Sequence, residues 1–350
     1  MLSPILENCR TPDETDRGLI HALYVDARAP FSQIGSALGV STQTVARRYQ
    51  SLRVKASLRV LGLPHPQHAH CAEWLIRLTV SPSVSRDVAL ALSRRADTSW
   101  VSLVSGGAEI VAIVQAPITA TSAETLLARD VPRTAGVTGV SAHRLLHLYL
   151  GRPAVWRGYA NVLDDHQQKC LRPRWLANPG QPSCEPVLTG TDVSLLAALR
   201  EDGRASYADL AAATGRSPAT VARRLEFLRA SGSLYFEVDM DPAAFGISTR
   251  TFLWMEVAPD RLDQVAMRLS GHEETVFVAA TTGRSSLVAD VLCPDPDALH
   301  HFLTRFVGKL DGIRSVESAP VSQTVKRAGS LSMAPARYRA PSLSAVRHAV

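Results

Sequence analysis

The chain has 350 residues, 46% of them hydrophobic, with five cysteines and a formal charge of +6. That length and apolar share exclude a disordered or fibrous chain and predict a globular protein of roughly two or more domains. No run approaches the roughly 18 apolar residues of a membrane span, "MLSPILENCRTPDE" lacks a basic region followed by an apolar run, and the cysteines form no CxxC pair. The expectation is a cytoplasmic protein with reduced thiols, no zinc site and no membrane partner.

In chain order, "DETDRGLIHALYVDARAP" carries Leu19, Ile20 and Leu23 at helical spacing and predicts a first helix that ends near Pro30. "FSQIGSALG" places Phe31, Ile34 and Leu38 on one side of a short second helix, and Gly39 supplies the left-handed residue of a sharp turn. Ser41 then caps a third helix whose Val45, Tyr49 and Leu52 form an apolar stripe. At about 100° per residue, Gln43, Arg47 and Gln50 face away from that stripe, with Arg48 and Arg53 on its flanks. Three helices with a glycine turn before a capped, cationic third helix make a helix-turn-helix, whose last helix fits the major groove. From Arg47 through Arg59 the chain adds Arg48, Arg53 and Lys55 without an acid, which suits phosphate contact.

"AEWLIRLTVSP" reads as a strand, 85–95 as a helix, and "SWVSLVSGGAEIVAIVQ" as strand, glycine turn, strand. A helix near 120–129 and a closing strand at 139–150 complete a βαββαβ order, the split-βαβ sandwich. His65, His68, His70 and Cys71 in "HPQHAHC" are metal-ligand types, but the H-x2-H-x-H spacing is not diagnostic and no metal is expected. Residues 151–191, rich in proline and polar side chains, read as a linker with one short helix.

Beyond the linker the order repeats. At an offset of 176, Asp16 meets Asp192, Asp26 meets Asp202, Arg28 meets Arg204, Gly39 meets Gly215, Ser41 meets Ser217, and "TVARRYQSLR" returns as "TVARRLEFLR". A lone arginine pair is more often a solvated helix face, but duplication in the same context favours function. In the second copy Val221, Leu225 and Leu228 form the stripe, while Ala219, Arg223 and Glu226 point outward. The offset slips to 177 for Trp100 with Phe277 and Gly106 with Gly283, then returns to 176 for Gly136 with Gly312. "RTFLWMEVAPD", a helix at 260–270, "TVFVAATTGRSSLVADVL", a helix at 297–309 and a strand at 313–325 rebuild the sandwich. An antiparallel sheet with helices on one face needs cover on the other, and the second copy is the natural partner.

The predicted class is α+β: two winged helix-turn-helix domains and two ferredoxin-like βαββαβ sandwiches in tandem, related by a pseudo-two-fold. The expected divisions are helix-turn-helix 12–60, sandwich 72–150, linker 151–190, helix-turn-helix 191–240, sandwich 248–327 and a tail at 328–350.

An Asp-initiated helix-turn-helix with S-x-x-T-V-x-R-R, a wing and a βαββαβ domain resembles the Lrp/AsnC family of feast/famine transcription regulators. Copy two is closer, because "LRASGSLYFEVDMDPAAFG" matches the family's wing and connecting strand, whereas "LRVKASLRVLGLPHPQHAH" is degenerate there. Family members usually carry one module and dimerise, so this chain is similar to a fused dimer; a homodimer or higher oligomer of the fused chain stays open. The resemblance implies double-stranded DNA as a partner, contacted by Gln43, Thr44, Arg47, Arg48, Gln50 and Arg53 and by Ala219, Thr220, Arg223, Arg224, Glu226 and Arg229. It also implies a small-molecule effector, such as an amino acid, near the middle-strand turns. Those are Ser105, Gly106, Gly107 and Glu109 in copy one, and Thr282, Gly283, Arg284 and Ser285 in copy two, where no acid matches Glu109.

Two other readings stay open. Siroheme decarboxylases resemble this family, but their His-Asn-Tyr-x-Arg motif by the second strand is missing from "ADTSWVSLV" and "EETVFVAAT". A metabolite-binding protein without DNA binding would not need the basic third helices. No nucleophile elbow, P-loop or dinucleotide fingerprint is present, so no catalytic residue, no cofactor and no enzyme activity are expected.

Overall fold

The computed structural model describes residues 12–66, 71–117, 134–151, 156, 158, 161–173, 188–327 and 330–331. Helix α1 (Glu14–Val25) starts with a capping box in which Asp13 and Asp16 each accept the other's backbone N–H. Helix α2 (Phe31–Leu38) ends at Gly39, whose φ of 68° would strain any residue with a Cβ. Helix α3 (Thr42–Lys55) is capped by Ser41, whose hydroxyl accepts the Thr44 N–H at 3.1 Å. There follow β1 (Arg59–Pro64), β2 (Cys71–Val80), α4 (Ser85–Ser93), β3 (Thr98–Val104), β4 (Glu109–Pro117) and β5 (Val137–Leu150). The helix expected near 120–129 lies outside the described residues.

The connection carries one short helix, α5 (Asp165–Leu171), which docks on copy one: Gln167 Nε2 donates to the Ala37 carbonyl at 2.8 Å. Copy two repeats the plan with α6 (Gly190–Glu201), α7 (Tyr207–Thr214), α8 (Pro218–Ala230), β6 (Leu234–Asp239) and β7 (Thr249–Val257). It continues with α9 (Leu262–Ser270), β8 (Thr275–Thr281), β9 (Leu287–Cys293), α10 (Pro296–His301), β10 (Ile313–Arg327) and β11 (Ser330–Leu331). The C-terminal end of α10 runs on through a π turn at Phe302–Phe306, so the predicted 297–309 helix is irregular.

Within each copy the strands run antiparallel in the order β3-β4-β2-β5 and β8-β9-β7-β10. The fourth strands, 14 and 15 residues long, are too long for their own sheets and cross into the other copy. There β5 pairs with β8, Leu145 opposite Thr281, and β10 pairs with β3, Val321 opposite Val104. The eight strands therefore close on themselves, which removes the exposed edges that would otherwise invite aggregation. Between the two sheets lies a shared core of Leu75, Val104 and Val111 from copy one and Phe252, Trp254, Val288 and Ala319 from copy two. The helices cover the outer faces, with Val88, Ala89 and Leu92 of α4 on one sheet and Val265, Ala266 and Leu269 of α9 on the other.

The wing differs from the sequence expectation. Instead of a separate wing for each helix-turn-helix, β1 and β6 pair antiparallel, Arg59 opposite Asp239 through Pro64 opposite Leu234, as one ribbon shared by both copies. The segment read as degenerate in copy one is thus a full strand, because ladder pairing uses backbone groups and does not require residue identity.

The two helix-turn-helix units also clasp each other directly. Arg28 donates to the Gly203 and Ala205 carbonyls at 2.6 and 2.9 Å, and Arg204 donates to the Ala27 and Ala29 carbonyls at 2.5 and 2.9 Å. Arg204 lies over the Phe31 ring and Arg28 over that of Tyr207, so both guanidinium planes are stacked as well as bonded. The pair aligned across the sequence repeat is a reciprocal clamp that keeps the pseudo-two-fold.

Candidate nucleic-acid interface and effector turns

On α3 the stripe Val45, Tyr49 and Leu52 is buried, and Gln43, Arg47 and Gln50 are exposed. On α8 the stripe Val221, Leu225 and Leu228 is buried, while Ala219, Arg223 and Glu226 are exposed. Both helices begin in the same way, with the Ser41 and Ser217 hydroxyls 2.9 Å from those of Thr44 and Thr220. Arg53, Lys55 and Arg59 extend the exposed cationic edge of copy one; its counterpart in copy two carries Glu226, so the two faces differ in charge.

The second arginine of each ARR triplet has another job. Arg224 grips Asp192 with two bonds of 2.7 Å, from Nε to Oδ1 and from Nη2 to Oδ2. Asp192 is 0% exposed and also accepts from the Thr189 hydroxyl at 2.7 Å. Burial alone would raise its pKa, but the Arg224 and Thr189 hydrogen bonds outweigh burial and hold it at about 2. In copy one Arg48 reaches Asp13 at 2.7 Å and Asp16 only at 3.4 Å. Asp16 Oδ1 has no hydrogen-bond partner, and burial, with Asp13 beside it, pushes the Asp16 carboxyl up. Arg229 is likewise held, by Asp26 of the other copy at 2.6 Å. Of the arginines named from the sequence, Arg47, Arg53 and Arg223 face solvent, whereas Arg48, Arg224 and Arg229 fasten helices together.

The effector turns lie at the seam between the sheets. Gly106 and Gly107 adopt φ of 71° and 89° in a 3₁₀ turn that leads into β4. The Glu109 carboxylate accepts from Arg77 Nε and Nη2 at 2.8 and 2.9 Å and from the Ser105 hydroxyl at 2.9 Å. Arg77 also bonds Glu317 of copy two and lies over the Trp254 ring. The hydrogen bonds from Arg77 hold the Glu317 carboxyl below its ordinary range. In copy two the Thr282 hydroxyl accepts from the Arg144 N–H at 2.9 Å, and its carbonyl lies 2.8 Å from His143 Nδ1. A Cβ on Gly283, at φ of 100°, would stand 2.6 Å from that imidazole. Ser285 accepts from the Thr281 hydroxyl at its carbonyl, at 2.7 Å, and Arg284 is exposed. Polar groups of both turns are thus engaged by the chain itself.

Several features were not singled out from the sequence: the Arg28–Arg204 clamp, the Arg77 bridge, the Arg250–Asp290 pair described below, and a cavity behind the ribbon. The clamp had a signal, since its two arginines align in the repeat; the others join residues too far apart in the chain to be linked by pattern. Of the histidine cluster, His68 and His70 lie outside the described residues. Among the described residues no helix is long and apolar enough to cross a membrane.

Two capped three-helix units clamped about a pseudo-two-fold, above a closed pair of βαββαβ sheets, define a tandem helix-turn-helix protein with a paired ferredoxin-like body. The AsnC-type helix-turn-helix domain matches at residues 13–53 and again at 188–229, and the Lrp/AsnC ligand binding domain at 250–331. The chain thus carries two AsnC-type helix-turn-helix domains and an Lrp/AsnC ligand binding domain, in keeping with a tandem-duplicated form. It is 28% identical over 141 residues to the HTH-type transcriptional regulator FL11 of Pyrococcus horikoshii, a match covering 40% of this chain and 93% of that one. It is 29% identical over 148 residues to the regulatory protein AsnC of Escherichia coli K12, covering 40% and 97%. Over almost the whole chain its fold is similar to that of the siroheme decarboxylase NirDL, with a TM-score of 0.60 at 12% identity, covering 90% of this chain and 93% of that one.

Proposed function

We propose that the chain is a sequence-specific DNA-binding transcriptional regulator of the Lrp/AsnC type that responds to a small metabolite such as an amino acid. The observation that carries this reading is the exposure of Gln43, Arg47 and Gln50 and of Ala219, Arg223 and Glu226 on two clamped third helices. FL11 and AsnC, by name regulators, each match a single module, and the duplicated chain supplies two such modules about one pseudo-axis. The family likeness supports an effector.

The likeness to NirDL invites an enzyme reading, but it is a likeness of fold. The second strands, "TSWVSLV" and "TVFVAAT", offer neither histidine nor arginine to act on a propionate. The cavity behind the ribbon has a volume of about 140 Å³, comparable to one that holds a single six-membered ring. The regulator reading is therefore preferred to a decarboxylase.

Genomic immunoprecipitation of the tagged protein, followed by titration of the recovered fragments, tests the reading. Affinity for those fragments is expected to exceed that for scrambled DNA by roughly a thousandfold or more. It should fall linearly in log–log with salt, by about 0.9 per phosphate neutralised. Equal affinity for recovered and scrambled fragments would contradict it.

A further inference from the structure

The cavity lies at the ribbon end of the space between the two sheets, bounded by β1 and β6 on one side and by inner-face residues of both sandwiches on the other. Its walls are aromatic: Trp100, Tyr235 and Phe252. One pole is acidic, with Glu237 and Asp239 two residues apart on the same face of β6 and only 3% and 9% exposed. Asp239 lines the cavity and makes no hydrogen bond or close ion pair among the described residues, although its backbone is paired opposite Arg59.

Three arginines line the cavity, Arg200, Arg250 and Arg327, and the last two are already engaged. Arg250 is bonded to Asp290 at 3.0 and 3.1 Å and to the Thr324 hydroxyl at 2.9 Å. Arg327 donates to the Met240 carbonyl at 3.2 Å and stands 3.5 Å from Asp241. A carboxylate ligand at this pole would meet two buried carboxylates, Glu237 and Asp239, on the same face of β6. A metal ion is also excluded by the donor geometry, since no group of three or more metal-ligating side chains comes together among the described residues. A protonated amine suits the pole, because ammonium satisfies a buried carboxylate and binds aromatic faces.

We propose that this cavity is a ligand site for a small organic monocation, a primary amine on an aromatic or branched apolar body, held by Asp239 and Glu237. Its position links it to the DNA-binding helices. Only three residues separate α3 from β1 and α8 from β6. The Asp241 N–H, two residues beyond Asp239, donates to the carbonyl of Ala56, the C-cap of α3, at 2.8 Å. An amine drawn to Asp239 therefore acts on the joint between ribbon and recognition helix. The binding stands by itself, while its readout at DNA rests on the regulator reading.

The site should weaken in acid. Burial pushes the Asp239 carboxyl up to about 6; Arg327, Arg59 and Arg250 oppose the rise and Asp241 adds to it. Glu237, Glu73, Asp290, Arg200 and Tyr24 line the same space. An amine binds the ionised carboxylate, so affinity is retained above that pKa and lost as pH falls through it, about tenfold at one unit below.

Calorimetric titration of the full chain without DNA tests the proposal. Phenethylamine is expected to bind, with 2-phenylethanol and phenylacetate at least tenfold weaker. Asp239→Asn and Glu237→Gln should each weaken phenethylamine tenfold or more while the unliganded proteins melt cooperatively. The two neutral or anionic comparators test the same point on the parent chain if a variant fails to fold. Equal binding of the alcohol, or no binding of the amine, would overturn the site. Phenethylamine binding that leaves the affinity for the operator unchanged would overturn the link to the helices. Failure of the chain to bind any operator would instead remove the regulator reading and leave amine binding in place.

Discussion

Replacing Arg47 and Arg223 together by alanine should lower operator affinity by at least roughly thirtyfold without changing the melting temperature. Both side chains are exposed at matching positions of α3 and α8. Each lost contact to a base or phosphate is worth about 1 to 3 kcal/mol, and the two sites are far enough apart to add. The residual binding should also show a shallower salt dependence, because fewer counterions are released. Filter binding or anisotropy across a salt series measures both quantities. An unchanged operator affinity in the folded double variant would remove α3 and α8 from the interface.

Alanine at the neighbouring arginine should have the opposite profile, with a large loss of stability. Arg224→Ala leaves Asp192, fully buried, without its bidentate partner. Breaking a buried pair in this way costs about 3 to 5 kcal/mol. Arg48→Ala should cost less, roughly 1 kcal/mol, since Asp13 is partly exposed and the contact with the buried Asp16 is long. The pH dependence follows from the folded pKa of about 2 at Asp192. A depressed carboxylate contributes stability above its unfolded pKa and loses it as pH falls through the folded value, here between roughly 4 and 2, worth about 2 kcal/mol. In Arg224→Ala the share due to Arg224 is lost while the Thr189 hydrogen bonds keep theirs, so parent and variant should approach each other in stability toward low pH. Denaturant melts at pH 7 and pH 3 measure both effects, and a parent-like Arg224→Ala at pH 7 would show that the clamp contributes nothing.

This contrast marks where pattern stopped being informative. The three-helix units were legible because apolar stripes, serine caps and Gly39 and Gly215 constrain local structure within a few turns of chain, and because the repeat supplied a second example. The direction of Arg47 could be read in the same way, from helical phase alone. The fate of Arg48 and Arg224 could not, since the flank of a helix becomes a clamp only when α1 or α6 brings an acid to it from 32 residues away. The partners of Glu109 were illegible for a similar reason: the turn was recognised, but Arg77 lies on β2 and is shared with Glu317 of the other copy. In the strand 59–64 residue identity was lost while the backbone ladder was kept, so comparison of sequences understated it. The cavity needs the ribbon and the sheets of both copies to meet and leaves no linear trace.

The central claim is that one chain carries two unlike reading heads on a single pseudo-two-fold frame. Copy one offers Gln43, Arg47 and Gln50, and copy two offers Ala219, Arg223 and Glu226. Gln can bond adenine bidentately and Glu can accept from cytosine, while Ala can only touch a thymine methyl. Selection from random DNA, followed by footprinting with a cleavage reagent tethered beside α8 alone, tests the claim most directly. The account predicts two half-sites that share the element read by Arg47 and Arg223 but differ in their flanks, with cleavage at one end only; a symmetric consensus cleaved equally at both ends would contradict it.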